Sequence, residues 1–196
     1  MIHKLLNGKK IVLASASPRR KDLLKLVGLN FIQAPADIDE AINEDDHVNP
    51  KKYVKRLAYD KCDFIRKRMD DDCVVIAADT IVYFKKKIYG KPENKTEAVE
   101  YLMALSGQTH IVYTCIAVSY QRKLLCDITK TKVKFMPLSD EMINDYIQTN
   151  EPFDKAGAYG IQGYGSQFIE KIDGCYFNVM GFPVNMFYRL IGCCVF

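Results

Sequence analysis

Residues 11–21 read IVLASASPRRK, and this stretch predicts the fold around it. Its first four residues are apolar and predict a short buried strand. Ser17 is a typical helix N-cap, and Pro18 suits the first helical position because that position needs no N–H donor. Apolar residues at helical spacing follow until Gly28, a common helix stop. The stretch therefore predicts a strand, a tight turn and a helix in one unit.

The turn of this unit combines hydroxyl groups with cations. Two serines lie in the turn, and Arg19, Arg20 and Lys21 follow at the helix start. Cations are unfavourable beside the positive end of a helix dipole, and a bound anion would reverse that penalty. Two interpretations fit this stretch alone: a phosphate site, or a solvated basic turn.

The composition limits the kind of protein. A chain of 196 residues with 48% hydrophobic residues predicts a single domain over residues 1–196, with one lobe or two lobes sharing a sheet. The net charge of +4 is small and dispersed, which argues against a nucleic-acid partner. No apolar run approaches the roughly 20 residues that span a bilayer, and the N-terminal apolar segment is too short for a signal peptide. We therefore expect no membrane partner and a cytoplasmic location.

The cysteines and histidines argue against two common kinds of site. The seven cysteines are irregularly spaced and form no C-x-x-C pair, so a zinc site is not expected and reduced thiols are. The three histidines lie beside no serine or cysteine that could act as a nucleophile, and G-x-S-x-G is absent. A catalytic triad is therefore not expected.

Carboxylates occur at two notable places. The run 74–78, VVIAA, predicts a central strand buried on both faces, which ends at Asp79 and Thr80 and resumes at Ile81. A carboxylate at such a place is costly unless it is paired or binds a metal, although a structural Asp that caps a turn is the alternative. The second place is residues 37–40, DIDE, which fit an exposed turn or a metal-binding group.

Two lysines and one loop complete the candidate groups. Residues 41–49 predict a polar loop, and its last residue, Asn49, is predicted to cap a helix from Pro50. Lys61 lies near the apolar stripe of that helix, where it could reach inward. Lys91 lies between Gly90 and Pro92, which could aim its ammonium group, although a plain turn would look the same. Residues 154–165 carry four glycines, alternating tyrosines and Gln162, which favours a shaped recognition loop over a linker. Together these groups suit attack of water on a phosphoanhydride.

The chain resembles the Maf family of nucleoside triphosphate pyrophosphatases, which is related to the inosine triphosphatase fold. The similarity covers about residues 9–190 and rests on four blocks in the family's order. These are SASPRR at 15–20, ADT at 78–80, GKP at 90–92 and DKAGAYGIQG at 154–163. The resemblance implies an α/β fold, with a long twisted mixed β-sheet flanked by helices in two lobes and a central cleft for the nucleotide.

The resemblance also implies roles for individual residues. Asp79 would accept a proton from the attacking water, and Asp39 or Glu40 would join Asp79 around Mg²⁺ or Mn²⁺. Phosphate contacts would come from Ser15, Arg19, Lys61 and Lys91. The substrate-binding residues that match the branch preferring dTTP and UTP are Arg20, Thr80 and Gln162.

The implied reaction converts a nucleoside triphosphate and water into the monophosphate and pyrophosphate. Other or modified pyrimidine triphosphates, and 7-methyl-GTP, remain alternative substrates. A nucleotide-binding regulator of cell division with little turnover is an alternative of another class. Family members are often homodimers, so a homodimer is a further expectation.

Overall fold

The computed structural model describes residues 1–195 and contains one seven-stranded mixed sheet. The strand order is β2-β1-β3-β5-β6-β7, and β4 pairs with part of β3. Strand β1 runs parallel to β2 and β3, and every other pairing is antiparallel. The strands are β1 (Ile11–Leu13), β2 (Ile32–Gln33), β3 (Val74–Phe84), β4 (Lys87–Tyr89), β5 (Thr109–Tyr120), β6 (Lys123–Phe135) and β7 (Ile169–Asp173).

Eight α-helices accompany the sheet within residues 1–195, and short 3₁₀ turns lie between α6 and β7. The helices are α1 (Ile2–Leu5), α2 (Pro18–Leu26), α3 (Glu44–Val48), α4 (Pro50–Arg66), α5 (Lys95–Leu105), α6 (Asp140–Gln148), α7 (Tyr176–Val179) and α8 (Val184–Val195). None of the helices in this part of the chain has the length and apolar character needed to cross a bilayer.

The helices cover both faces of the sheet. Helix α4 packs its apolar stripe on one face, against alternate residues of β3 and β5 such as Val75, Ala77 and Ala117. On the other face, α2 and α8 form one apolar cluster, and α5 and α6 form a second around Phe135. The predicted α/β class and long mixed sheet with flanking helices are thereby confirmed.

A polar layer lies between the two clusters on that second face. The Thr114 hydroxyl donates to the backbone oxygen of Asn178 at 2.9 Å and lies 3.0 Å from the Thr80 hydroxyl. Asn178 is fully buried, and its amide nitrogen donates to the Val112 carbonyl and the Thr131 hydroxyl. Because buried polar groups need partners, these bonds attach α7, which carries Asn178, to strands β5 and β6.

The predicted strand–turn–helix at the start of the chain is confirmed. Ser17 has extended backbone angles, and its side chain accepts a hydrogen bond from the Arg20 N–H. Gly28, just past the helix, has φ +78°, the left-handed conformation that glycine adopts without steric cost. Leu23 and Leu24 bury the helix against the sheet.

Three local predictions were wrong. Strand β3 does not end at Asp79 but continues to Phe84, because β5 pairs with it without a break from Val75 to Tyr83. Residues 44–48 form α3 rather than an irregular loop, since Asn43 and Asp46 make a reciprocal capping box. Asn49 lies directly before α4 but makes no side-chain cap hydrogen bond.

Candidate active site

A cleft of about 830 Å³ opens where one edge of β3 has no neighbouring strand. On that edge β1 pairs with β3 up to Ile76, and β4 pairs with it from Val82 onward. The residues between them, including Asp79 and Thr80, therefore face open space on that side. Because side chains alternate along a strand, Asp79 points to the α4 face and Thr80 to the opposite face.

A lysine paired with two carboxylates lines the cleft. The Lys61 ammonium lies 2.5 Å from Asp79 Oδ1 and 2.8 Å from Glu40 Oε1. Lys61 is only 8% exposed and Asp79 only 7%, so both charges are withdrawn from water. Lys61 reaches this position because it lies on the buried stripe of α4, as its sequence position predicted.

The loop that carries Glu40 is fixed by Tyr53 of α4. The Tyr53 hydroxyl donates to the Glu40 backbone oxygen at 2.7 Å. Burial raises the pKa of Tyr53, and the charges of Asp79 and Glu40 raise it further, so the hydroxyl stays protonated and remains a donor. Tyr53 thus lines the cleft and holds a candidate site residue, although nothing in its sequence position predicted this.

The structure separates the two candidate metal ligands of residues 37–40. Glu40 lines the cleft, whereas Asp39 is exposed and is not among the residues that line it. Asp39 Oδ1 instead accepts a hydrogen bond from the Ala41 N–H at 2.9 Å. Of the pair left open by the sequence, Glu40 is therefore the one brought next to Asp79.

Arg20 ties the serine turn to β3. Its guanidinium donates to Ser15 Oγ at 3.0 Å, to Thr80 Oγ1 at 3.1 Å and to the Gly181 carbonyl at 3.0 Å. Burial lowers the pKa of Arg20, while nearby Asp79 opposes that shift. The Arg20 guanidinium thus donates to neutral acceptors, and Asp79 lies close enough to influence its pKa.

Arg19 lines the cleft and pairs with Asp154. Its Nη1 lies 2.8 Å from Asp154 Oδ2, and Nη2 donates to the Asp154 carbonyl at 3.2 Å. Lys155 makes a second ion pair with Asp154. Burial acts to raise the pKa of Asp154, but Lys155 and Arg19 more than offset it, so the pKa lies below the usual value. A phosphate that took Arg19 as its partner would have to displace this carboxylate.

Lys91 and Gln162 line the cleft with exposed side chains. Neither side chain makes a hydrogen bond or an ion pair within residues 1–195. The cleft thus brings together eight predicted site residues around Asp79, namely Ser15, Arg19, Arg20, Glu40, Lys61, Thr80, Lys91 and Gln162. Asp39 is the predicted site residue that does not line the cleft.

A buried aromatic group supports the cleft near Gln162. Tyr159 lines the cleft, and its hydroxyl lies 2.7 Å from Nε2 of His110, which is 1% exposed. Burial lowers the pKa of His110 to about 3, so its ring is neutral at physiological pH. Neither residue was predicted to have a role, because nothing in the spacing of residues 110 and 159 indicates that they meet.

The donor set of the cleft suits a hard divalent cation. Asp79 and Glu40 are both carboxylates, and both contact the same ammonium group. Asp79 Oδ2 and Glu40 Oε2 accept no hydrogen bond from the described residues, which leaves oxygen atoms for a metal. Mg²⁺ and Mn²⁺ prefer such oxygen ligands. Arg19, Arg20 and Lys91 supply the positive charge that a triphosphate needs.

Known proteins match the chain closely along most of its length. The model of the Maf-like protein family matches residues 10–193. The dTTP/UTP pyrophosphatase of Clostridium tetani is 46% identical over 186 residues, which cover 92% of this chain and 95% of that protein. The dTTP/UTP pyrophosphatase of Thermosipho africanus is 46% identical over 182 residues, covering 93% and 92%.

A solved structure is similar at a lower level. It is a nucleoside-triphosphatase, dITP/XTP pyrophosphatase, from Mycobacterium abscessus, with 10% identity and a TM-score of 0.40. The match covers 66% of this chain and 75% of that one. The family assignment depends instead on the sequence matches, which span more than nine-tenths of the chain. On these matches, the chain belongs to the Maf family.

Proposed function

We propose that this chain is a dTTP/UTP pyrophosphatase, which hydrolyses the triphosphate to the monophosphate and pyrophosphate. Relatives that bear this name match the chain over nearly their whole length. The observation that carries the proposal is the juxtaposition of a buried Lys61–Asp79 pair and a cationic serine turn in one cleft. This arrangement can hold a polyanion beside a group that accepts a proton.

In the proposed reaction, water attacks the α-phosphorus. A bond forms from the water oxygen to this phosphorus, and the bond to the bridging oxygen breaks. The electron pair leaves with pyrophosphate, and Asp79 takes the proton of the water. Lys61, beside Asp79, and Arg20, beside Ser15 and Thr80, would stabilise negative charge near the α-phosphate. Arg19 and Lys91 would bind the outer phosphates at the mouth of the cleft.

A divalent cation, Mg²⁺ or Mn²⁺, is part of the proposal. Glu40 and Asp79 would hold it, and when bound it would neutralise phosphate charge and lower the pKa of coordinated water. Gln162 would recognise the base, since its amide offers both a donor and an acceptor to a pyrimidine edge. A homodimer remains a further proposal.

Release of pyrophosphate from a panel of nucleotides tests this function. The purified chain, with Mg²⁺ or Mn²⁺, is incubated separately with dTTP, UTP, CTP and 7-methyl-GTP. We expect pyrophosphate and monophosphate in equal amounts, with kcat/KM highest for dTTP and UTP. A preference for 7-methyl-GTP would assign the other substrate branch. Tight binding of dTTP without product would instead support a nucleotide-binding regulator.

A further inference from the structure

Glu151 holds the loop that carries Gln162. Its Oε1 accepts hydrogen bonds from the Tyr146 hydroxyl at 3.0 Å and the Gly165 N–H at 3.1 Å. Its Oε2 accepts one from the Tyr164 N–H at 2.9 Å. An ionised carboxylate can only accept hydrogen bonds, and each of these three partners is a donor.

The glycines of this loop fit closely around the carboxylate. Gly163 has φ +73°, and a Cβ there would overlap with Glu151 Oε2. A Cβ on Gly165 would lie 2.7 Å from the Gly160 carbonyl and 2.8 Å from the Tyr146 hydroxyl. The backbone on both sides of Tyr164 is therefore packed directly on Glu151 and its partner Tyr146.

Gln162 is attached to this packed segment and lines the cleft next to it. It directly precedes Gly163, and its exposed side chain has no partner of its own within residues 1–195. The backbone of Gln162 therefore sets the position from which its amide can reach a ligand in the cleft. The backbone that follows is held by Glu151, which does not itself line the cleft.

We infer that Glu151 is a positioning residue for base selectivity, which fixes the loop so that Gln162 presents its amide to the base of the bound nucleotide. This inference rests on the proposed function and deepens it. The Glu151 carboxylate makes no hydrogen bond or ion pair with Lys61, and two of the three hydrogen bonds it accepts come from the backbone that follows Gln162. Its loss should therefore affect recognition of the base more than binding of the phosphates.

The test is Glu151→Gln, which keeps the shape of the side chain. A glutamine with its oxygen at the Oε1 position would place an NH₂ group against the Tyr164 N–H, so two donors would meet. Losing a charge-assisted hydrogen bond in this setting corresponds to roughly a tenfold effect. We expect KM for dTTP and UTP to rise about tenfold, the preference for dTTP over dGTP to fall similarly, and kcat to change less.

Two further measurements separate positioning from a general loss of structure. Amide hydrogen exchange in residues 160–168 should become faster, while exchange in β3 and α4 stays unchanged. Inhibition by pyrophosphate, which carries no base, should keep its inhibition constant, whereas inhibition by dTMP should weaken about tenfold. Gln162→Ala should give the same change in selectivity, and Glu170→Gln, an exposed carboxylate on β7, should give none.

Unchanged selectivity and KM in Glu151→Gln would overturn the inference, and so would equal weakening of pyrophosphate and dTMP. If this variant does not fold, Tyr146→Phe removes one of the three hydrogen bonds and should give a smaller change in the same direction; wild-type selectivity there would also overturn it. Failure of the proposed function looks different, because the wild-type chain itself would then release no pyrophosphate from dTTP or UTP.

Discussion

Asp79→Asn should lower kcat for dTTP by at least about a thousandfold, since general-base groups contribute on that scale. The amide has nearly the shape of the carboxylate and can still accept a hydrogen bond from Lys61, but it cannot take a proton from water. Binding of dTTP, followed by calorimetry, should change by only a few-fold. The variant should still fold, because the Lys61 ammonium keeps its ion pair with Glu40, but losing one partner of the buried Lys61–Asp79 pair should lower the melting temperature.

The matched control is Asp22→Asn, an exposed carboxylate on α2 that lies outside the cleft. This variant removes the same charge and should retain wild-type kcat. A kcat within tenfold of the wild-type value in Asp79→Asn would remove Asp79 from the role of base. A failure of Asp79→Asn to bind dTTP would instead make it a binding residue.

Lys61→Met should lower kcat/KM for dTTP by about a hundredfold or more and should destabilise the chain. Methionine fills the space of the lysine stem on α4 but leaves Asp79 and Glu40 close together without their shared cation. Removing one partner of a buried ion pair costs about 3 kcal/mol or more, because the remaining charge stays buried. Because Glu40 is half-exposed, most of this cost should come from Asp79.

Lys55→Met is the control for this variant, because Lys55 lies on the exposed side of the same helix. It loses the same charge, and we expect wild-type activity and stability. Urea unfolding and steady-state kinetics of both variants provide the measurement. Equal kinetics in Lys61→Met and Lys55→Met would show that Lys61 has no part in the reaction.

The parts of the fold that the sequence predicts are those set by local chemistry. The Ser17 cap and the end of α2 at Gly28 depend on neighbouring residues only. The inward position of Lys61 follows from helical spacing alone, since it lies one turn after Leu57 on the buried stripe.

The parts that the sequence did not predict depend on distant residues. Asp79 interrupts an apolar run, but its strand continues because β5, more than 30 residues later, pairs across the interruption. Glu40 rather than Asp39 lies beside Asp79 because Tyr53 and Lys61 of α4 contact Glu40. Neither contact can be read from the sequence around residue 40. The contacts of Glu151 with Tyr164 and Gly165 span 13 and 14 residues of chain that form only short 3₁₀ turns and loops, whose path no hydrophobic periodicity predicts.

The most direct test of the central claim is hydrolysis of dTTP in water enriched in ¹⁸O, with mass analysis of both products. In the proposed reaction, the cleft places the attacking water beside both Asp79 and the α-phosphorus. The prediction is therefore one ¹⁸O atom in each dTMP and none in pyrophosphate after a single turnover. Label in pyrophosphate with unlabelled dTMP would place the attack on the β-phosphorus and contradict the account.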